Sequence, residues 1–217
     1  MAKVLLLNPP FVPRFNRTGC RWPSKTRSDT VCYPFWLAYA TGWLEKCGVE
    51  AKLVDAPASS LTLKDVYRIC SDFSPDIIVI DTSTPSIVSD TKIALELKKA
   101  FDATITLVGP HASALPEETI VMGNADHVIV GEYDCALLEL AKGGSSPRII
   151  KGKPFQNLDS LPFISQVYKE HLRIEEYFYS LCRYPEVQIM GSRGCPFHCN
   201  YCVWPQVFTG RNVRYRS

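Results

Sequence analysis

The sequence has no apolar run approaching the roughly 20 residues that a membrane-spanning helix needs. Between Met1 and Pro10 only the aliphatics Val4 to Leu7 precede Asn8-Pro9-Pro10, too short a stretch for the core of an export signal. Neither sign of charge dominates: 24 Lys and Arg face 22 Asp and Glu, for a net charge of +2. That balance gives neither the positive field of a nucleic-acid binder nor the acidic excess of a disordered chain. GxGxxG and P-loop patterns are absent, which argues against a nucleotide site of either kind. The expectation is a cytoplasmic globular protein with no transmembrane segment and no nucleic-acid partner. Its 217 residues, 46% hydrophobic and 21% charged, suffice for one domain and part of a second.

Cysteine, by contrast, is plentiful and odd in number at 9. Without an export signal a disulfide framework is not expected. Cys20, Cys32, Cys47, Cys70, Cys135 and Cys182 are scattered singly. Cys47 and Cys70 fall on apolar helical faces, where cysteine serves as a small hydrophobe. Cys195, Cys199 and Cys202 are clustered.

Short apolar runs alternate with helical periodicity over the first 142 residues. Runs at residues 3–8, 51–54, 76–81, 105–108 and 127–130 read as five buried strands. Between them, Leu37, Ala40, Leu44 and Cys47 share one helical face. A second helix follows the capping box Thr62-Leu63-Lys64-Asp65, a third carries Ile93, Ala94 and Leu97, a short one starts at Pro116-Glu117-Glu118, and another runs from Tyr133 to Ala141. Buried strands alternating with helices predict a doubly wound α/β domain, Rossmann- or flavodoxin-like, with a five-stranded parallel sheet. Ligands of such sheets lie beyond the carboxyl ends of the strands. Those ends are Asn8-Pro9-Pro10, Thr82-Ser83-Thr84, Gly109-Pro110-His111 and Gly131-Glu132. The same residues also read as ordinary turns, and the basic stretch from Arg14 through Arg21 to Arg27 reads as a solvated loop. Residues 143–180 read as a linker and a helix-prone stretch from Ser165 to Tyr179. Residues 181–217 hold one further apolar strand, Glu186 to Met190, and the cysteine cluster.

The cluster reads Gly194-Cys195-Pro196-Phe197-His198-Cys199-Asn200-Tyr201-Cys202, a CxxxCxxC spacing. Three thiolates on one tight loop can converge on a soft metal centre. A structural zinc site is closed by four ligands. His198 adjoins Cys199, and neighbours in a tight loop seldom both point inward. A cubane held by three cysteines leaves one iron open to a substrate or cofactor.

With Ser192-Arg193-Gly194 before it and Tyr201 inside it, the cluster resembles the signature of the radical S-adenosylmethionine (SAM) superfamily. That resemblance implies a [4Fe-4S] cluster on Cys195, Cys199 and Cys202, with S-adenosyl-L-methionine on the fourth iron. It also implies reductive cleavage to a 5′-deoxyadenosyl radical, fed by a flavodoxin- or ferredoxin-type electron donor. The preceding domain resembles the cobalamin (B12)-binding domain of B12-dependent radical SAM proteins, through Asn8-Pro9-Pro10-Phe11, Asp81-Thr82-Ser83-Thr84-Pro85, Gly109-Pro110-His111-Ala112, Pro116-Glu117-Glu118 and Gly131-Glu132. Leu158-Asp159-Ser160-Leu161-Pro162 resembles the leader these proteins place before their barrel. Tyr33-Pro34-Phe35-Trp36-Leu37-Ala38, Val54-Asp55-Ala56-Pro57-Ala58 and Cys202-Val203-Trp204-Pro205-Gln206 resemble the hopanoid-biosynthesis branch. Implied cofactor contacts are Asn8, Pro9, Pro10, Thr82, Ser83, Thr84, Gly109, Pro110, His111, Gly131 and Glu132.

Two departures qualify the resemblance. The DxHxxG pattern whose histidine ligates cobalt is absent, so cobalamin is expected base-off without that ligand. A full eightfold barrel takes about 250 residues, far more than follow Leu181. The expectation is therefore an N-terminal portion: a cobalamin-binding domain over 1–142, a linker over 143–180 and the start of a radical SAM domain over 181–217. It is inactive alone, and its protease-stable core ends near Gly143-Gly144. The full reaction is methyl transfer or another radical transformation of an unactivated carbon in a small-molecule or lipid-like substrate. Two alternatives stay open: a stand-alone corrinoid-binding module, and a flavodoxin-like nucleotide-binding regulator with a structural zinc loop.

Overall fold

A computed structural model describes residues 2–18, 23–144, 146–202 and 204–217. Cys20, Arg21, Val203 and the side chain of Gln206, all named above, lie outside the described residues. Strands β1 (Val4–Asn8), β2 (Ala51–Asp55), β3 (Ile77–Asp81), β4 (Thr104–Val108), β5 (His127–Val130) and β6 (Ile149–Lys151) form one sheet in the order β2-β1-β3-β4-β5-β6. Every neighbouring pair is parallel. The doubly wound α/β architecture is as expected, but the sheet has six strands and not five. The extra strand, β6, lies in the stretch read as linker, with Ile149 opposite Val128 and Ile150 opposite Ile129. Three residues are too few to show a period of two, and only the open edge of β5 makes them a strand.

Alternate residues of each strand enter opposite cores. Leu5, Leu7, Ile78, Ile80, Ile105, Leu107 and Val128 pack on one face against α2 (Leu63–Phe73), α3 (Ile87–Ala100) and α5 (Pro116–Gly123). Val4, Leu6, Val79 and Ile129 pack on the other against α1 (Phe35–Lys46) and α6 (Asp134–Ala141). Both faces are dry, so the strands read as continuous apolar runs. Each fully buried Leu or Ile contributes about 1.5–3 kcal/mol; the core therefore fixes where the polar strand ends stand. The expected capping box starts α2: the Thr62 N–H donates to Asp65 Oδ2 at 2.9 Å, and the Asp65 N–H donates to Thr62 Oγ1 at 3.4 Å.

A further layer lies outside α1. Helix α7 (Ile164–His171) packs on it, so α1 is buried almost all round, Trp36, Leu37, Ala38, Tyr39, Ala40, Thr41, Gly42 and Leu44 included. The approach needs a glycine: a Cβ on Gly42 would stand 2.7 Å from Pro162 Cγ and 2.8 Å from Val167 Cγ2. The expected helix from Ser165 to Tyr179 thus ends at His171, and a separate 3₁₀ turn covers Ile174–Glu176. Because β6 and α7 both pack on the sheet domain, that domain continues well past Gly143-Gly144.

Glu186 to Met190, expected as a strand, joins no sheet. Side chains take its polar groups instead. The Tyr33 N–H donates to Gln188 Oε1 at 2.8 Å, Tyr168 OH to Gln188 O at 3.1 Å, and the Met190 N–H to Tyr39 OH at 3.1 Å. Val187 and Ile189 are exposed, as a strand without a partner would leave them. Then β7 (Ser192–Arg193) pairs antiparallel with β8 (Arg214–Tyr215), Arg193 facing Arg214. Cys32 is disulfide-bonded, where no disulfide was expected. Cys47, Cys70, Cys135, Cys182, Cys195, Cys199 and Cys202 are free thiols.

Candidate functional site

In the order β2-β1-β3-β4-β5-β6 the chain reverses its winding between β1 and β3. A ligand crevice opens outside the carboxyl ends of such a pair. Here Arg17, from the irregular stretch after β1, fills it and is fully buried. Its guanidinium donates to Asn8 Oδ1 at 2.5 Å, to the Pro9 carbonyl at 2.8 Å and to Asp90 Oδ1 at 2.6 Å. The rings of Phe11 and Phe15 flank it. Thr18 beside it donates to Asp81 Oδ2 at 2.6 Å. The basic stretch is therefore not simply solvated, because its second arginine is a core ion pair.

The expected contact residues divide accordingly. Asn8 is engaged at both ends, its Nδ2 donating to Asp55 Oδ1 at 2.7 Å. The Pro9 carbonyl serves Arg17, and Pro10 lines a recess of about 390 Å³ with Phe11, Leu63 and Ile93. Thr82 ties two strand ends together, donating to Val108 O at 2.7 Å and accepting from the Ala112 N–H at 3.2 Å. Ser83 shares a 2.7 Å hydrogen bond with Ser86. Thr84 is exposed and bonds His111 Nδ1 at 3.1 Å. Gly109 and Pro110 start α4 (Pro110–Ala114), and the Gly131 N–H donates to Ser113 Oγ at 2.9 Å. Glu132 is buried and bonded by Arg193, Arg214 and the Phe155 N–H, so its carboxylate faces the chain's own arginines.

Among the described residues, three of the buried polar atoms without a partner stand at the ends of adjacent strands: Asp81 Oδ1 after β3, His111 Nε2 after β4 and Tyr133 OH after β5. Burial pushes the Asp81 carboxyl up to about 7 and holds the His111 imidazole below its usual value. Burial, with the Asp81 charge, drives the Tyr133 phenol well up. Burial thus favours the neutral form of all three groups: an imidazole, a phenol O–H and a carboxyl. Sequence reasoning named His111 as a contact and Asp81 only within a stretch resembling the family; Tyr133 was read only as the start of a helix.

Cys195, Cys199 and Cys202 are part-buried on the loop between β7 and β8. The Cys195 N–H donates to Gly210 O at 3.2 Å, and the Cys202 N–H to Cys199 O at 3.1 Å. His198 is exposed. Among the described residues, only Glu45, Glu170 and His171 form a trio of ligand atoms within 4.8 Å of one another. His171 Nδ1 accepts from the Leu53 N–H at 3.3 Å, so Nε2 carries the proton and bonds Glu45 Oε1 at 2.8 Å. A metal on Nε2 would displace that proton, and the trio reads as a bridge from α7 to α1 and β2. The three cysteines form no such tight trio. Thiolates of one zinc ion, at about 2.3 Å from the metal, sit closer together than those on three irons of a cubane.

The fold and its polar edge define an α/β domain of the class whose ligands lie at the carboxyl end of a parallel sheet. The B12 binding domain family matches residues 25–141, and the chain belongs to that family. It is 29% identical over 223 residues to an uncharacterized methyltransferase of Pyrococcus horikoshii, covering 93% of this chain and 45% of that protein. It is 24% identical over 279 residues to cytidylyl-2-hydroxyethylphosphonate methyltransferase of Streptomyces wedmorensis, covering 99% of this chain and 50% of that one. The chain thus spans about half the length of these relatives. The solved radical SAM methyltransferase TsrM of Kitasatospora setae, with cobalamin and [4Fe-4S] cluster bound, superposes with a TM-score of 0.66 at 17% identity, over 100% of this chain and 44% of that one. The likeness establishes the fold.

The residues present suit cobalamin. Its corrin rim carries amide arms that both donate and accept, and the unpartnered atoms of Asp81, His111 and Tyr133 supply both kinds. No DxHxxG histidine stands after β1, where Asn8-Pro9-Pro10 are found.

Proposed function

We propose that the chain is the cobalamin- and cluster-bearing portion of a radical SAM methyltransferase. The observation that carries this reading is the joining of two parts: a B12-binding sheet edge, and a CxxxCxxC loop of free thiols whose base is ion-paired to that edge. Cobalamin supplies a methyl carrier, and a [4Fe-4S] cluster supplies the electron that cleaves S-adenosyl-L-methionine. The chain's own part is to hold and to exclude. Cys195, Cys199 and Cys202 offer the thiolates, leaving one iron for S-adenosyl-L-methionine. His111, Asp81 and Tyr133 offer hydrogen bonds to the corrin rim, and Arg17 closes the β1/β3 crevice beside it. The methyltransferases among the relatives support methyl transfer as the reaction. The substrate is a small or lipid-like molecule, and the electron donor is of flavodoxin or ferredoxin type, in the cytoplasm.

Anaerobic reconstitution with iron, sulfide and hydroxocobalamin tests this. The expected product carries about four irons and a base-off corrin spectrum, with an electron paramagnetic resonance signal that changes on adding S-adenosyl-L-methionine. Replacing Cys195, Cys199 and Cys202 by Ala should remove the iron and leave the corrin; replacing Cys47 and Cys135 should remove neither. A chain that keeps corrin but takes up no iron is a corrinoid-binding module, which overturns the proposal. One that keeps neither overturns the proposal.

A further inference from the structure

The thiolate loop leaves and re-enters the fold through a narrow neck. Arg193 and Arg214 face each other across the β7/β8 ribbon, immediately outside the loop. Inside it, Gly194 has φ +97°, and a Cβ there would lie 2.1 Å from Asn212 O, so the two arms touch backbone to backbone. Both arginines converge on one carboxylate. Arg193 Nη1 donates to Glu132 Oε2 at 3.0 Å, and Arg214 Nη1 donates to the same oxygen at 3.1 Å while its Nη2 reaches Oε1. Asp134 takes the other fork of Arg193, at 2.7 and 3.1 Å. Trp36 lies against the Arg193 guanidinium, 4.7 Å from ring centroid to its central carbon. Arg193 and Glu132 are wholly buried, and the charges balance. Glu132 also follows Gly131, the residue that ends the β5 edge and is tied to α4 through Ser113.

We infer that Glu132 is a positioning residue: by clamping both arginines of the neck it fixes the thiolate loop at a set distance from the corrinoid edge of the sheet. This rests on the proposed function. A carboxylate placed after β5 was expected to touch the cofactor, but the geometry gives it to the loop. Bidentate arginine forks fix orientation as well as distance, which a flexible tether could not do. The chemistry needs such a device, because a methyl group handed between two bound cofactors tolerates little change in their separation.

The test uses the whole 217-residue chain with Glu132→Gln, and Arg214→Lys as a milder second variant. Two quantities are read. The first is hydrogen exchange over residues 192–215 without cofactors; the second is the spin–spin interaction between reduced cluster and cob(II)alamin after reconstitution. Expected for Glu132→Gln is exchange about tenfold faster in that segment with the β1–β5 amides unchanged. Iron and corrin content should be retained, and the spin interaction lost or broadly distributed. Arg214→Lys should give a smaller change of the same kind, and it decides the matter if Glu132→Gln does not fold. A merely structural contact would move exchange and leave the spin interaction as it was, which overturns the inference, as does unchanged exchange. Failure of the unaltered chain to take up iron overturns the proposed function; the exchange measurement still decides whether Glu132 clamps the neck.

Discussion

Arg17 and Arg193 are both wholly buried guanidiniums drawn from outside the six-stranded sheet, and both end at its carboxyl edge. Their surroundings differ. Among the described residues Arg17 has one ion-pair partner, Asp90, and its other hydrogen bonds go to neutral groups: Asn8, the Pro9 carbonyl and Ser86. It plugs the place where an open α/β sheet takes its ligand, between β1 and β3. Arg193 pairs with two acids, of which Glu132 is shared with a second arginine, and sits against aromatic rings, joining the sheet to a segment outside it. The first arginine completes the domain, whereas the second attaches something to it. The plug also explains why the unpartnered polar atoms lie further along, over β3, β4 and β5.

Removing each arginine breaks the comparison most severely. Arg17→Met leaves Asp90 buried and uncompensated, a loss of about 3–5 kcal/mol. It should appear as one cooperative drop in the urea midpoint of the whole domain. Arg193→Met strands Asp134 and half of Glu132 at a similar local cost, but the sheet should keep its midpoint while protease cuts within 181–217 accelerate. If Arg193→Met lowers the global midpoint as much as Arg17→Met does, the distinction between plug and attachment fails.

The next effect sharpens the Arg17 side. Asp81 is fully buried beside Thr18, and burial raises its carboxyl from an ordinary value of 3.8 to about 7. A raised carboxyl pKa means that the folded state holds the proton more tightly than the unfolded one. Its contribution to stability is complete below about pH 4 and is lost as pH rises through about 7. The expected loss across that window is on the order of a few kcal/mol, read from urea midpoints. Asp81→Asn should flatten the profile; a slope that survives the substitution assigns it to other groups. The smallest effect lies on the Arg193 side. Gly194→Ala adds a Cβ where Asn212 O already stands, at a backbone angle that disfavours side chains. It should cost about 1–3 kcal/mol, confined to the neck and read as faster exchange over 192–215.

Much of this was legible in the sequence. The strands announced themselves because both faces of the sheet are covered, and the Thr62-Asp65 box marked a helix start from local chemistry alone. The CxxxCxxC spacing singled out Cys195, Cys199 and Cys202. What was hidden depends on distant partners. Strand β6 exists because β5 has an open edge beside it. Arg17 looks like a surface residue until Asp90, 73 positions away, is folded onto it. Glu132 was noticed for its place after a strand, but nothing local reveals the arginines 61 and 82 positions further on that bond it. Glu186 to Met190 has the composition of a strand, but composition cannot supply a neighbour.

Helix α1, enclosed between the sheet and α7, has a consequence in time as well as in space. An amide in the outer turns of an ordinary covering helix exchanges its hydrogen whenever that helix frays. Those of α1 must wait for α7 to lift, and Gly42 lets Pro162 and Val167 close the gap that water would otherwise use. Two clocks therefore run on one side of the sheet: a fast one set by the undocking of α7, and a slow one set by opening of the whole domain. On the opposite side α2 and α3 have no such cover among the described residues, and a single intermediate rate should serve both. Labelling the chain in heavy water for graded times would separate the rates and show α1 marking after α7, α2 and α3.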